Sequence, residues 1–435
     1  MFTLFLRALP VSCLLLAHAV AQPVANQARQ LQELKAAVEQ EPQNPLTRYQ
    51  LAEAYHKAGE LDLAKQEYTR AIELHPGWIA PRLALAQLQV TTQDYDGALK
   101  TTAGVVELAP GNLNARLIEC AALAGQKKYG DARRILAELR ESNSDSPDVW
   151  FQTGVVELAV NHFTEAESAF RRGYELNPAN QRGLLGIVET YMAQNKSAEA
   201  LRLLQAEVDK APARQDLLIS LGNIAVRTGK YDLAIASFRK ALELSPDSSG
   251  DLWLRLGETY RRKGDPEGAI DALEKAREAT PDSVVVLSTL ALVLDAGGHK
   301  SEALAMYQAT LKLQPNNVVA LNNMAFLMSQ TGGDLDEALK MALRAQQLFP
   351  NLSEISDTLG CIYLKRKETS LAIDTLSALV ARQSQHAIYR YHLGMAYAQK
   401  GDKAKALEQL EEALKNLPPR EDRDKITALM ADLKK

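Results

Sequence analysis

The sequence predicts an all-α chain built as a solenoid of helix-turn-helix units, and three observations carry that prediction. Prolines recur on a fixed ruler: Pro42, Pro76, Pro110, Pro178, Pro212, Pro246, Pro281, Pro315, Pro350 and Pro418 lie 34 or 35 residues apart, with two gaps of 68 that are doubled 34s. Counting eleven units from Pro45, alanine holds unit position 20 every time, from Ala64, Ala98 and Ala132 through to Ala406. A small residue holds position 8 in all but one unit, as in Ala52, Cys120, Gly154, Gly222, Gly257, Gly360 and Gly394, with Val188 the exception. Each proline follows a helical stretch such as AIELHP or ALELSP and ends it, because it lacks the N–H and clashes with the turn before it. Small residues at two fixed points let antiparallel helices cross at roughly 8 to 10 Å.

The elements follow in chain order. Met1 to Arg7 carries one positive charge, Ala8 to Ala17 is apolar, and Ala19-Val20-Ala21 supplies the small residues a signal peptidase reads. A secretory leader cleaved after Ala21 is expected, which makes the protein exported, either periplasmic or secreted. The apolar run is shorter than the ~20 residues a spanning helix needs, so no stable membrane insertion is expected after cleavage. Cys13 stands inside the apolar run rather than at its end, which argues against a lipid-modified cysteine. Residues 22–44 contain an amphipathic stretch with Leu31, Leu34 and Val38 on one face, which fits an N-terminal capping helix. Residues 45–420 hold the eleven units. Residues 421–435 place Ile426, Leu429, Met430 and Leu433 at helical spacing and fit a C-terminal capping helix, since a stack of helix pairs leaves apolar ends to cover. At 435 residues a compact chain would divide into about three domains; the repeat predicts one array of about 24 helices instead.

Between positions 8 and 20 lies a turn, often with glycine, as at Lys57-Ala58-Gly59, Thr228-Gly229, Lys263-Gly264 and Lys400-Gly401. With LAEAYHKAGELDLAKQEYTRAIELHP from Leu51, LGNIAVRTGKYDLAIASFRKALELSP from Leu221 and LGETYRRKGDPEGAIDALEKAREATP from Leu256, the chain resembles the tetratricopeptide repeat (TPR) family. The resemblance covers Pro45 to about Arg420, with single insertions near Ser249 and at Gly332-Gly333. Local departures are Glu119 and Thr153 at the apolar position 7, Glu207 and Thr310 at the small position 27, and the missing proline of the third and tenth units. The resemblance implies a right-handed superhelix whose first helices line a concave groove.

Composition and motifs narrow the function. Lys and Arg number 50 against 54 Asp and Glu, with 46% hydrophobic residues, which excludes binding driven by phosphate neutralisation and excludes disorder. Three cysteines exclude a disulfide scaffold. Cys120 and Cys361 stand at or beside packing positions seven units apart, and at ~10 Å per unit they are too distant to bridge, so both are expected as buried thiols. The sequence has no GxxxxGK loop, HExxH helix, GxSxG elbow or CxxC pair, so no enzyme activity, cofactor or metal is expected. His386 and His392 come nearest to a metal-binding pair but fall in a connection and a helix. Carboxylates recur beside bases, as in Glu408-Glu411-Lys415, in the manner of a solvated helix face.

Recognition is therefore expected on the groove. By the resemblance, unit positions 2, 5, 9, 12 and 13 project into it. Early units supply Tyr49, Leu83, Leu117, Ala121, Phe151, Val155 and Leu158, an apolar strip suited to a peptide; middle units supply Asn223, Arg227, Glu258, Arg261 and Arg262, a net positive stretch suited to an acidic segment. Chaperone-cofactor members of the family hold a peptide carboxylate with Lys at position 5, Asn at 9 and Asn at 6 of the next unit, and no unit here has that Lys-Asn pair. Glycosyltransferase-linked members carry an asparagine ladder, whereas Asn322 and Asn323 stand alone. The segment NNMAFLMSQTGGDLDEALKMALRAQQLFP, followed by DTLGCIYLKRK, is similar to units of exported bacterial members, some linked to exopolysaccharide production. The leading expectation is a non-enzymatic exported scaffold that binds a protein or peptide along its groove and makes no contact with nucleic acid. The alternative is an accessory to polysaccharide synthesis or export, engaging its machinery.

Overall fold

A computed structural model describes residues 21–245 and 249–435. The leader expected over residues 1–21 lies outside them save for Ala21, as does Pro246. The helices fall into two compact bodies that divide between Lys210 and Ala211. The N-terminal body holds α1 (Ala21–Gln40) and five pairs: α2 (Pro45–Lys57) with α3 (Leu61–Leu74), α4 (Ile79–Thr91) with α5 (Tyr95–Leu108), α6 (Leu113–Gly125) with α7 (Tyr129–Ser142), α8 (Pro147–Ala159) with α9 (Phe163–Leu176), and α10 (Arg182–Ala193) with α11 (Ser197–Lys210). The C-terminal body begins with α12 (Gln215–Arg227) and α13 (Tyr231–Leu244), then α14 (Ser249–Lys263) and α15 (Pro266–Ala279), then α16 (Val284–Ala296) and α17 (Lys300–Leu313). It continues through α18 (Val318–Thr331) and α19 (Leu335–Leu348), α20 (Ser353–Lys365) and α21 (Thr369–Arg382), and α22 (Ala387–Lys400) and α23 (Lys403–Lys415), and closes with α24 (Arg420–Leu433). The described residues thus contain 24 helices and no strand, which is the all-α repeat architecture the periodicity predicts.

Each pair is held by a close crossing. All eleven alanines at position 20 are fully buried. Opposite them, a Cβ added at Gly154 would lie 2.6 Å from the Phe170 ring, and one at Gly257 2.6 Å from Leu273. Gly360 meets Leu376 and Gly394 meets Leu410 in the same way. In each case a large side chain at position 24 of the second helix lies against the bare backbone at position 8 of the first. Phe170 requires a second glycine: the ring also fills the space where Gly186 of α10 would carry a Cβ. That accounts for the one unit with valine at position 8, because α10 uses Gly186 for its close approach while Val188 is fully buried.

The turns repeat as strictly as the crossings. Position 15 of every unit has positive φ, met by glycine at Gly59, Gly229, Gly264, Gly298, Gly332 and Gly401. Gln93, Lys127, Asn161, Asn195 and Lys367 adopt the same left-handed conformation with a side chain, at a cost of about 1 kcal/mol each for the non-Asn residues. At the far end of the first five units and of the seventh through the tenth, a carbonyl accepts from the N–H three residues on, as in His75 to Trp78 at 3.0 Å, where Pro76 takes the second position of a β-turn. The third and tenth units, with Ser144 and Ser384 in place of proline, form the same turn at 3.1 Å. Side chains at position 4 tie that turn down: Arg48 Nε, Trp150 Nε1 and Arg390 Nε donate to the carbonyls of Pro42, Ser144 and Ser384 at 2.8, 2.8 and 2.7 Å.

Local departures from the repeat are satisfied by hydrogen bonds. Thr153 Oγ1 donates to the Val149 carbonyl at 2.8 Å and Thr310 Oγ1 to that of Met306 at 2.9 Å. Glu207 accepts from the Tyr174 hydroxyl at 2.7 Å, and Glu119 from Arg116 at 2.9 Å. Leu31, Leu34 and Val38 of α1 pack on the first unit, and Ile426, Leu429, Met430 and Leu433 of α24 pack on Leu410 and Ala413.

Gly154→Ala tests the crossing. The added methyl forces the Phe170 ring to move, an overpacking cost of about 1 to 3 kcal/mol that exceeds the helix gain of roughly 0.5 to 1 kcal/mol from replacing glycine. Urea unfolding will show the single variant less stable than the parent. The double variant with Phe170→Leu will lose less than the sum of the two single changes.

Candidate functional site

First helices of successive units touch one another as well as their own partners: α4 with α6, α6 with α8 and α8 with α10 in the N-terminal body, and α14 with α16, α18 with α20 and α20 with α22 in the C-terminal body. Each body therefore presents an inner row of first helices, across which a side chain at position 9 can reach position 6 of the next unit, as Asn223 reaches Arg255. Shallow surface depressions also lie along α3 and α9, lined by ordinary surface pairs: Arg70 with Glu73, Arg171 with Glu167, Arg172 with Glu175, and Lys65 with Asp94 of the next unit.

The residues expected to form an apolar strip lie on α2, α4, α6 and α8 of the N-terminal body. Val155 is 46% exposed, and Leu83, Leu117, Ala121 and Leu158 are half-buried on the same row. Tyr49 is half-buried, its ring 5.9 Å from that of Tyr68 and 5.0 Å from that of Trp78. Burial, followed by the nearby Glu53 carboxylate, raises the Tyr49 and Tyr68 hydroxyls above the ordinary tyrosine range. Phe151 departs from the expectation: at 1% exposure it belongs to the core. Gly173 and Gly183 leave a slot between the fourth and fifth units, a Cβ at Gly173 would lie 2.5 Å from the Phe151 ring, and the ring occupies that slot with Arg182 5.1 Å from its centre.

At the start of the C-terminal body, on α12 and α14, Arg227, Arg261 and Arg262 are exposed while Asn223 and Glu258 are half-buried. The positive stretch is partly neutralised. Arg261 grips Glu258 through Nε at 2.8 Å and Nη2 at 2.5 Å, with Arg262 3.7 Å from the same carboxylate. Across the row, Arg255 Nη1 donates to Asn223 Oδ1 at 3.2 Å and Arg255 Nε to Asp251 at 2.7 Å. Such exposed pairs contribute about 0 to 1 kcal/mol each, so they shape the local field more than the stability.

Between α20 and α22 the row brings together a cluster that sequence reasoning missed. Asp357, Cys361 and His392 occupy position 5, position 9 and position 6 of the following unit. His392 Nδ1 lies 2.6 Å from Asp357 Oδ1 and 3.4 Å from Cys361 Sγ. Burial alone would push the imidazole down, yet the Asp357 carboxylate and the Cys361 sulfur outweigh it and hold His392 well above its ordinary value. Burial pushes the Cys361 thiol up. His386, six residues before His392 in sequence, stays apart from it and stacks on Tyr389 with ring centres 3.7 Å apart. Cys120 and Cys361 are free and buried, and burial pushes the Cys120 thiol up to about 12. The signal available in the sequence was positional: these are the three unit positions of the family's carboxylate clamp, filled by Asp, Cys and His in place of Lys, Asn and Asn.

Comparison with known proteins agrees with this architecture. Two models described as tetratricopeptide repeat match residues 25–88, 89–151 and 225–293, and residues 185–249 and 358–421, which together span well over half of the chain. The chain belongs to the tetratricopeptide repeat family, a fold class of protein–protein interaction scaffolds. Among curated proteins it is similar to the anaphase-promoting complex subunit CDC16 of Saccharomyces cerevisiae, at 22% identity over 215 residues; the match spans 48% of this chain and 26% of that protein. Similar solved structures include the APC/C hetero-tetramer Cut9-Hcn1, at 16% identity over 95% of each chain with a TM-score of 0.44. A tetratricopeptide repeat protein from Parabacteroides merdae is similar at 18% identity over 58% of this chain and 98% of that one, with a TM-score of 0.46. No helix among the described residues is long and apolar enough to cross a membrane.

The placement of Phe151 and Val155 yields opposite expectations for one substitution. Phe151→Asp buries a charge in the inter-unit slot and will abolish cooperative unfolding of the N-terminal body by circular dichroism. Val155→Asp, one turn further along α8 and exposed, will shift the unfolding free energy by less than about 0.5 kcal/mol.

Proposed function

We propose that the protein is a non-enzymatic, exported scaffold that binds a segment of another protein along the inner row of its first helices. The observation that carries this reading is the apolar strip of the N-terminal body, where Val155 stands exposed among half-buried Leu83, Leu117, Ala121 and Leu158. Side chains of that kind hold a peptide by its apolar residues, and helices already locked by their crossings need no ordering on binding, so weak contacts at fixed spacing sum with little entropic cost. In the C-terminal body the mixed charges at Arg227, Arg261, Arg262 and Glu258 offer a separate polar surface, suited to steering an acidic segment more than to affinity. The leader-like Ala8 to Ala21 segment supports export. The polysaccharide alternative rests on resemblance alone, and no feature of the described groove favours it.

Capture with the protein purified from the exported fraction tests this reading. The parent and an outer-face control, Glu165→Lys, will retain the same protein partner, Val155→Asp will lose it, and the purified chain will begin at Gln22. Equal capture by Val155→Asp, or retention of no protein by the parent, would contradict the groove assignment, and a chain beginning at Met1 would contradict export.

A further inference from the structure

We infer that Asp357, Cys361 and His392 form a binding site for a single divalent transition-metal ion of the zinc class. The inference stands on the convergence of three different ligand types, independently of whether the groove binds a protein. All three ligand atoms lie within 4.8 Å of one another, Cys361 is buried, and the side chains of Asp357 and His392 are each 14% exposed, so the cluster is enclosed yet keeps some contact with solvent.

The geometry separates a metal site from the two alternatives such residues suggest. A nucleophilic Cys-His-Asp relay needs the acid on one ring nitrogen and the sulfur on the other, so that a proton can pass through the imidazole. Here Asp357 Oδ1 and Cys361 Sγ both approach Nδ1 of His392, at 2.6 and 3.4 Å, and no relay runs between them. A simple His-Asp ion pair accounts for the carboxylate but leaves the third group unexplained, a thiol aimed at the same nitrogen. Convergence on one point is what coordination requires. Tetrahedral zinc with bonds of about 2.3 Å to sulfur and about 2.0 Å to nitrogen and oxygen sets its ligand atoms about 3.3 to 3.6 Å apart. The sulfur to nitrogen spacing already matches, and the nitrogen to oxygen spacing needs to open by roughly 0.7 Å.

Donor chemistry and charge point to the same class of ion. A thiolate, a neutral imidazole and a carboxylate carry two negative charges, which a divalent cation balances, while the sulfur ligand disfavours Mg²⁺ and Ca²⁺, which take oxygen. Coordination releases two protons to solvent, the Cys361 thiol proton and the Nδ1 proton that His392 shares with Asp357 in the metal-free cluster. Three protein ligands leave a fourth position for water. The scaffold supplies preorganisation: Asp357 and Cys361 stand one turn apart on α20, where Gly360 packs against Leu376, and His392 is delivered by α22 two residues before Gly394, which packs against Leu410.

Cobalt(II), which occupies zinc sites and reports a thiolate ligand by charge-transfer absorption, tests the assignment on the full metal-free chain. One equivalent of Co²⁺ will produce that absorption, Zn²⁺ will displace it, and Cys120→Ser will leave it unchanged. Cys361→Ser will abolish the absorption, while Asp357→Asn and His392→Gln, checked for parental helicity by circular dichroism, will weaken Co²⁺ binding by at least about tenfold. Absence of the charge-transfer band in the parent, its persistence in Cys361→Ser, or unchanged Co²⁺ affinity in both Asp357→Asn and His392→Gln would overturn the proposal.

Discussion

In every unit the position-20 alanine is fully buried, and in most a small residue at position 8 of the facing helix accepts a large residue at position 24, as Gly154 accepts Phe170 and Gly257 accepts Leu273. This close crossing is the constraint on which the rest depends. It sets how far apart the pair can sit, and so where the chain must turn at position 15 and where the next first helix begins. Interiors are packed too densely to absorb a one-carbon error at such a point without moving a neighbour. Phe170 shows how tight the arrangement is, since its ring rests on glycines from two successive units.

The inner row inherits its character from those crossings. Because first helices lie beside first helices, side chains 31 to 35 residues apart in sequence become hydrogen-bonding neighbours, as with Asn223 and Arg255 or Cys361 and His392. The row is not uniform. The row of the N-terminal body carries an apolar strip around Val155, and that of the C-terminal body carries an arginine-rich stretch with internal ion pairs and an enclosed Asp-Cys-His cluster. A scaffold of identical backbone units thus presents three kinds of surface by changing a few residues at positions 5, 6, 9, 12 and 13.

Much of the fold was legible because its causes are local and repeated. The prolines mark β-turns that form wherever the preceding helix must stop, and the position-20 alanines recur because each crossing needs them. The capping helices were legible from the spacing of Leu31, Leu34 and Val38 and of Ile426, Leu429 and Met430. What escaped depends on the neighbouring unit. Phe151 reads as a groove residue by position, but the glycines that bury it, Gly173 and Gly183, belong to α9 and α10. Lys127 and Lys367 adopt left-handed turns that their residue type gives no reason to expect. The Asp357, Cys361 and His392 cluster was hidden because its members lie on two helices and look, one by one, like a surface acid, a buried thiol and a stray histidine. Knowing which positions meet across the row would have joined them.

The central claim is that the array is held by contacts between adjacent helices, so that damage at one crossing stays near it. Hydrogen exchange on an Ala234→Trp variant measures this most directly, because the indole cannot fit at the fully buried crossing of α12 and α13. The account predicts that amides of α12 to α15 lose protection while those of α20 to α23 keep the parental pattern. Equal loss of protection across all of α12 to α24 would contradict it.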